Sequence, residues 1–160
     1  MIASKAVMTP KEYEDKIQGL VNSYVHSLVA IVRAVEKQYG KEGKELARQA
    51  YMGNRESRLK VGDPSADLHE FCDNLDRGCR VTHQFVRVVD EPNRVKYNFT
   101  RCMWAEAFSS LNATDIGHWF CDTDEPAIKA YNPRLGFKRT KTLMDGDDIC
   151  DHEFYVVPRT

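Results

Sequence analysis

Most of the groups in this chain that could do chemistry fall in its last third: Cys102, His118, Cys121, Asp122, Asp124, Cys150, Asp151 and His152. His118 and Cys121 stand at i and i+3, so a helix would point imidazole and thiol the same way. An imidazole beside a thiol stabilises the thiolate that acts as nucleophile. Asp124 adds a carboxylate one further step of three along, where it could orient the imidazole or activate water as a general base. The plainer reading of the same spacing is a small buried Cys121 next to Trp119 and Phe120, with Asp122 and Asp124 capping the next helical turn.

Cys150 and His152 alternate on one face of the last strand together with Phe154 and Val156. Joined to His118 and Cys121 they have the composition of a tetrahedral zinc site. Neither pair has the C-x2-C spacing of a zinc ribbon, and simple packing against a helix competes with ligation. The expectation is therefore no cofactor, with zinc on His118, Cys121, Cys150 and His152 as the alternative. Arg139 and Lys141 fall on one face of a strand, Thr140 and Thr142 on the other, a pattern that can present cations to the carboxylate of a small ligand or can be an ordinary exposed strand. Cys102 and Glu106 are i and i+4 at the start of a helix, where Cys102 either lines a pocket or is a buried thiol. Cys72 and Cys79, seven apart in apolar company, read as core. His26, His69 and His83 are isolated and receive no role, and the Asp145–Asp148 run has too few oxygens for a calcium loop.

The elements that must position these groups can be read from caps and periodicity. Thr9-Pro10-Lys11-Glu12 combines an N-cap, a first-turn proline and a capping-box Glu ahead of Tyr13, Ile17, Leu20, Val21, Tyr24, Leu28, Ile31, Val32 and Val35 at helical spacing. This helix runs to about Tyr39, Gly40 stops it, and a second helix follows from Lys41 to about Arg58. Asp63-Pro64 opens a third, with Leu68, Phe71, Cys72 and Leu75 on one stripe. From Arg80 the pattern alternates: Val81 to Val89, a Glu91-Pro92-Asn93 turn, then Val95, Tyr97 and Phe99 form a hairpin. Met103–Leu111 and Thr114–Tyr131 return to helix, the latter interrupted near Asp124-Glu125-Pro126. A second hairpin pairs Gly136–Leu143 with Ile149–Val157 across a tight Asp145-Gly146 turn. The expected fold class is α+β: N-terminal helices plus an antiparallel sheet of about four strands built from two hairpins, with the helices on one face.

The 160 residues, 42% hydrophobic and 29% charged, suit one globular domain, residues 1–160, made of a helical part over 1–79 and a hairpin-helix-hairpin part over 80–160 that carries the candidate site. A net charge of −1 leaves no basic surplus for nucleic acid or anionic membranes. No apolar run near the start serves as a signal core, and five cysteines, an odd number, argue for reduced thiols, so a cytoplasmic location is expected. The expected partner is a small molecule, with a homodimer left open.

The pattern Cys102-x-x-Ala105-Glu106, Cys121-Asp122-x-Asp124, Tyr131-Asn132-Pro133, Arg139-Thr140-Lys141-Thr142-Leu143 and Gly146-Asp147-x-x-Cys150-Asp151 resembles the L-2-amino-thiazoline-4-carboxylic acid hydrolase family. Val25 through Tyr39-Gly40, then Glu42 and Ala47, resembles that family's opening helices. The resemblance implies a hydrolase acting on a small cyclic amidine or thiazoline carboxylate, opening the ring to a carbamoyl-cysteine. In that reading Cys121 is the nucleophile or a pocket thiol, Asp124 the base and His118 a proton shuttle. Cys102, Arg139, Lys141, Cys150 and Asp151 would surround the substrate. His152 departs from the family pattern, which more often has an aromatic there. The G-D-x-x-C strand is similar also to 4-vinyl-reductase-type ligand-binding domains, so a non-catalytic small-molecule or metal-binding sensory domain is the alternative function. In those domains a Glu and a Cys precede the last Cys, where this chain offers Arg139 and Thr142.

Overall fold

The structure is a computed structural model that describes residues 8–59 and 67–158. Its first element, α1 (Pro10–Glu56), begins at the expected capping box: the Thr9 hydroxyl accepts from the Glu12 amide, and the Glu12 carboxylate accepts from the Thr9 amide at 2.8 Å. Gly40, at φ 67° and ψ −154°, breaks the helical conformation and divides α1 into two segments at a kink, as its sequence position foretold. The first segment buries Val21, Val25, Val29 and Val32; the second buries Tyr51. Arg33 before the kink and Lys44 after it converge on Asp115, and Lys44 also lies 3.7 Å from Glu36.

Helix α2 (Leu68–Cys79) starts at Asp67, whose carboxylate accepts from the Glu70 amide at 2.7 Å. The start expected at Asp63-Pro64 lies outside the described residues. Strands β1 (His83–Glu91) and β2 (Arg94–Cys102) form the first hairpin, followed by α3 (Met103–Ser110). The helical pattern of 114–131 resolves into α4 (Thr114–Cys121) and α5 (Asp124–Tyr131), with Pro126 confined to the first turn of α5, where its missing N–H costs no helical hydrogen bond. Strands β3 (Leu135–Lys138) and β4 (Cys150–Val156) complete an all-antiparallel sheet of order β1-β2-β4-β3. Thus the fold is α+β, with a four-stranded sheet.

The register opposes Val95 to Phe154, Tyr97 to His152 and Phe99 to Cys150, which puts these six side chains on the helix-covered face. Exposed Val86 belongs to the other face. Two apolar clusters result. One gathers the α1 valines with Met103, Phe108, Ile116 and Trp119. The other joins Leu68 and Cys72 of α2 to Tyr97, Phe99, Phe154 and Leu135 of the sheet.

The strand expected over Gly136–Leu143 ends at Lys138, and the Asp145-Gly146 pair is not a tight hairpin turn. The reason is local competition for backbone amides. The Asp151 carboxylate accepts from the Thr140 amide at 2.7 Å, the Lys141 amide at 2.6 Å and the Thr140 hydroxyl at 2.6 Å. Asp147 accepts from the Thr142 amide at 2.8 Å. These bonds fold 139–149 into a loop around a short 3-10 turn, Leu143–Asp145, closed by Gly146 at φ 88°. Arg139 and Lys141 therefore do not share a strand face.

Candidate functional site

Between the two apolar clusters lies a cavity of about 310 Å³, at the lower end of the roughly 300–1,000 Å³ typical of small-molecule pockets. Its wall includes five large aromatic side chains, Phe71 from α2, Phe99 and Phe154 from the sheet, Trp104 from α3 and Phe120 from α4. The thiols of Cys79, Cys102, Cys121 and Cys150 also face it. Its polar groups are Arg55, His83, Asp124, Arg139 and His152.

Asp124 is the first residue of α5 and Arg139 the first residue beyond β3, so a helix start and a strand end deliver them to each other. Arg139 Nη1 donates to Asp124 Oδ2 at 2.7 Å and to the Cys121 carbonyl at 3.5 Å. Burial pushes the Asp124 carboxyl up to about 6, and the Arg139 guanidinium acts in the opposite sense. The carboxyl sits among protein atoms yet keeps 35% of its surface accessible, because it lines the cavity. It is a carboxylate poised to exchange a proton near neutral pH.

Cys121 ends α4 beside this pair. Burial pushes its thiol up to about 12, and the neighbouring Asp124 charge works in the same direction. Burial likewise raises Cys79 to about 12 and Cys102 to about 11, although Cys102 N-caps α3 and accepts from the Ala105 amide at 3.5 Å. Cys150 accepts from the Leu143 amide at 3.1 Å and lies 3.6 Å from the Thr142 hydroxyl, anchoring the loop. His152 is held down to about 3 by burial, with Arg139 and His83 adding repulsion, so its imidazole is neutral. It packs edge-on to Phe137 at 5.1 Å and lies 4.8 Å from Phe99. Burial also lowers His83, whose Nδ1 lies 2.9 Å from the Thr82 hydroxyl.

Of the residues singled out in the sequence, Cys102, Cys121, Asp124, Arg139, Cys150 and His152 come together around the cavity. Three others lie elsewhere. His118 Nε2 is 2.8 Å from Asp145 Oδ1 at the rim of α4, away from the Cys121 thiol's cavity face. Lys141 pairs with Asp148 at 3.0 Å in solvent. Asp151 holds the loop that presents Arg139 and does not reach the cavity. Among the described residues, no group of three or more His, Cys, Asp or Glu side chains is arranged to hold a metal ion.

Arg55, Cys79 and His83 line the cavity although spacing assigned them no site role. Arg55 was legible in one respect: it follows the buried Tyr51 by four, on the core side of its helix. It donates to the Thr123 hydroxyl at 3.4 Å and lies over the Phe120 ring at 5.5 Å. Two guanidinium groups thus face the cavity against one carboxylate, and both imidazoles lean to the neutral form. Such a balance favours a small anion whose body is apolar.

The family model described as L-2-amino-thiazoline-4-carboxylic acid hydrolase matches residues 21–154 of the 160. No curated protein matches the chain.

Proposed function

We propose that this chain, which belongs to the L-2-amino-thiazoline-4-carboxylic acid hydrolase family, opens a small cyclic amidine carboxylate by hydrolysis at the Asp124–Arg139 pair. The observation that carries the reading is that this pair, joined at 2.7 Å, opens into an apolar cavity of small-molecule size. The ring body packs against Phe99, Phe120 and Phe154. Arg139 has donors beyond the one given to Asp124, and with Arg55 it holds the substrate carboxylate.

Asp124 acts as general base. It takes a proton from a water whose oxygen bonds to the amidine carbon, while the C=N electron pair moves onto nitrogen. The tetrahedral centre then collapses to a carbonyl as its hydroxyl proton passes to the ring nitrogen that took the electron pair. The C–S or C–N ring bond breaks, and Asp124 returns its proton to the leaving atom. Cys121 supports this as a protonated wall thiol: with its pKa pushed up to about 12, it offers little thiolate at neutral pH.

The test is ring opening of L-2-amino-thiazoline-4-carboxylate by metal-analysed wild type, Asp124→Asn and Cys121→Ser. A new thiol in the product reports C–S cleavage and a new primary amine C–N cleavage. Wild type is expected to turn over, Asp124→Asn to lose about 10²–10⁴-fold in kcat, and Cys121→Ser to stay within about tenfold. A Cys121→Ser enzyme as inactive as Asp124→Asn would move the attack from water to the thiol. Folded wild type without turnover would remove this substrate.

A further inference from the structure

The first segment of α1 carries two apolar stripes, and its own core accounts for one of them. Val21, Val25, Val29 and Val32 are buried. Leu20, Tyr24 and Ile31 are 67%, 49% and 62% exposed, and they line a neighbouring stripe that continues to Tyr13 at 45%. Around this second stripe Gly19, Ser23, Ser27, Ala30 and Ala34 are small and exposed. The Ser27 hydroxyl donates to the Ser23 carbonyl at 3.0 Å, so even this polar group asks little of water. Between Lys16 and Lys37 this face of the helix carries no charge, in a chain that is 29% charged.

The spacing is also self-complementary. Positions 20, 24, 27 and 31 are separated by steps of four, three and four, the same read in either direction. A two-fold axis crossing an antiparallel helix pair between residues 25 and 26 sets Leu20 against the partner's Ile31 and Tyr24 against the partner's Ser27. One step further out, Ile17 meets Ala34 and Tyr13 meets Gln38. Large side chains thus face small or polar-tipped ones in most layers, as close antiparallel packing requires. At each end Glu12 stands within about one turn of the partner's Lys37, a favourable pairing of charge. Tyr24 is pre-organised for this, because Trp104 and Phe120 hold its ring edge-on at 5.9 and 6.1 Å.

We infer that the chain forms a two-fold symmetric dimer through the exposed stripe of α1, with a second copy as its occupant. The four large side chains leave on the order of 400 Å² uncovered per copy, a patch large enough to mark an interaction site. Two copies, with the small residues and flanks added, reach the lower end of the roughly 1,200–2,000 Å² of stable interfaces. Tyr24 touches Trp104 and Phe120 from behind the cavity wall, but none of the stripe residues lines the cavity itself, so the inference stands independently of the hydrolase reading.

Sedimentation equilibrium over a dilution series, with circular dichroism as the control for folding, tests it. Wild type is expected to be a dimer. Leu20→Glu, which sets a lone carboxylate against the partner's Ile31, is expected to weaken dimerisation at least about 100-fold while remaining folded. Adding Ile31→Lys to Leu20→Glu places opposite charges together twice across the axis and is expected to restore the dimer. A monomeric wild type, including one in which another segment of the chain covers the stripe, would overturn the inference. So would a dimer indifferent to Leu20→Glu, and a folded double variant that stays monomeric would overturn the antiparallel pairing.

Discussion

At the scale of single residues, the cavity sorts titratable groups by what burial does to each. Burial disfavours charge, so it raises Asp124 to about 6 and Cys121 to about 12 but lowers His152 to about 3. Only Asp124 is left titrating near neutrality among these three. As a base it must be ionised, so kcat/KM for the ring-opening reaction is expected to fall as pH drops through about 6. A pH–rate profile checks this, and an acid limb that is unchanged in Asp124→Glu or set by another group would assign the base elsewhere. The same burial predicts slow alkylation of Cys121 at pH 7, with the rate still rising at pH 9, which iodoacetamide labelling and peptide mapping would follow.

At the scale of elements, two local structures govern where the site groups stand. Gly40 holds the kink that lets Arg33 and Lys44 reach Asp115 from either side. Its φ of 67° with ψ of −154° suits glycine almost exclusively, so Gly40→Ala is expected to cost about 1–3 kcal/mol, read as a lower urea midpoint with an unchanged m-value. The second is the 139–149 loop, tied down by the Asp151 carboxylate through two amides and a hydroxyl. Asp151→Asn removes the charge and leaves one amide-oxygen acceptor. The Thr140 and Lys141 amides should then exchange with deuterium faster, and substrate KM should rise more than kcat falls, because Arg139 is the first residue of that loop. Unchanged exchange at both amides would show that the loop is held by other contacts.

At the scale of the whole molecule, the neutral buried imidazoles couple the fold to pH. His152 is lowered to about 3 in the folded chain, against about 6.5 when unfolded. The unfolded state therefore binds the proton first, and stability present above about 6.5 is lost as pH falls toward 3. Asp124 works the other way below about 6, since its raised carboxyl binds a proton in the folded state before the unfolded one does. Removing the imidazole separates the two: His152→Gln should lose less melting temperature than wild type between pH 7 and 5. An equal loss in both would place the acid sensitivity outside His152. Among the described residues, no helix is long and apolar enough to cross a membrane.

Much of this architecture is determined by short-range chemistry and is legible in the sequence. The Thr9 capping box, the Gly40 break, the alternation of Val95, Tyr97 and Phe99 and the Cys150-x-His152 face all depend on neighbours within a few residues, and each yields the expected element. The family resemblance, read from short motifs in order, agrees with the match over residues 21–154. What only tertiary structure decided is which polar groups meet. The 139–143 stretch has the alternation of a strand, but Asp151, ten or eleven residues beyond Lys141 and Thr140, captures the amides that a ladder would need. His118 has the right spacing to attend Cys121 and turns instead to Asp145, across the 3-10 turn. Arg55 and His83 come to the cavity from parts of the chain far from the cysteine cluster, because α1 and β1 pack around it. Periodicity specifies the direction of a side chain within its own element. Its partner is set by how elements dock, and the energies that set docking come from contacts between residues distant in sequence.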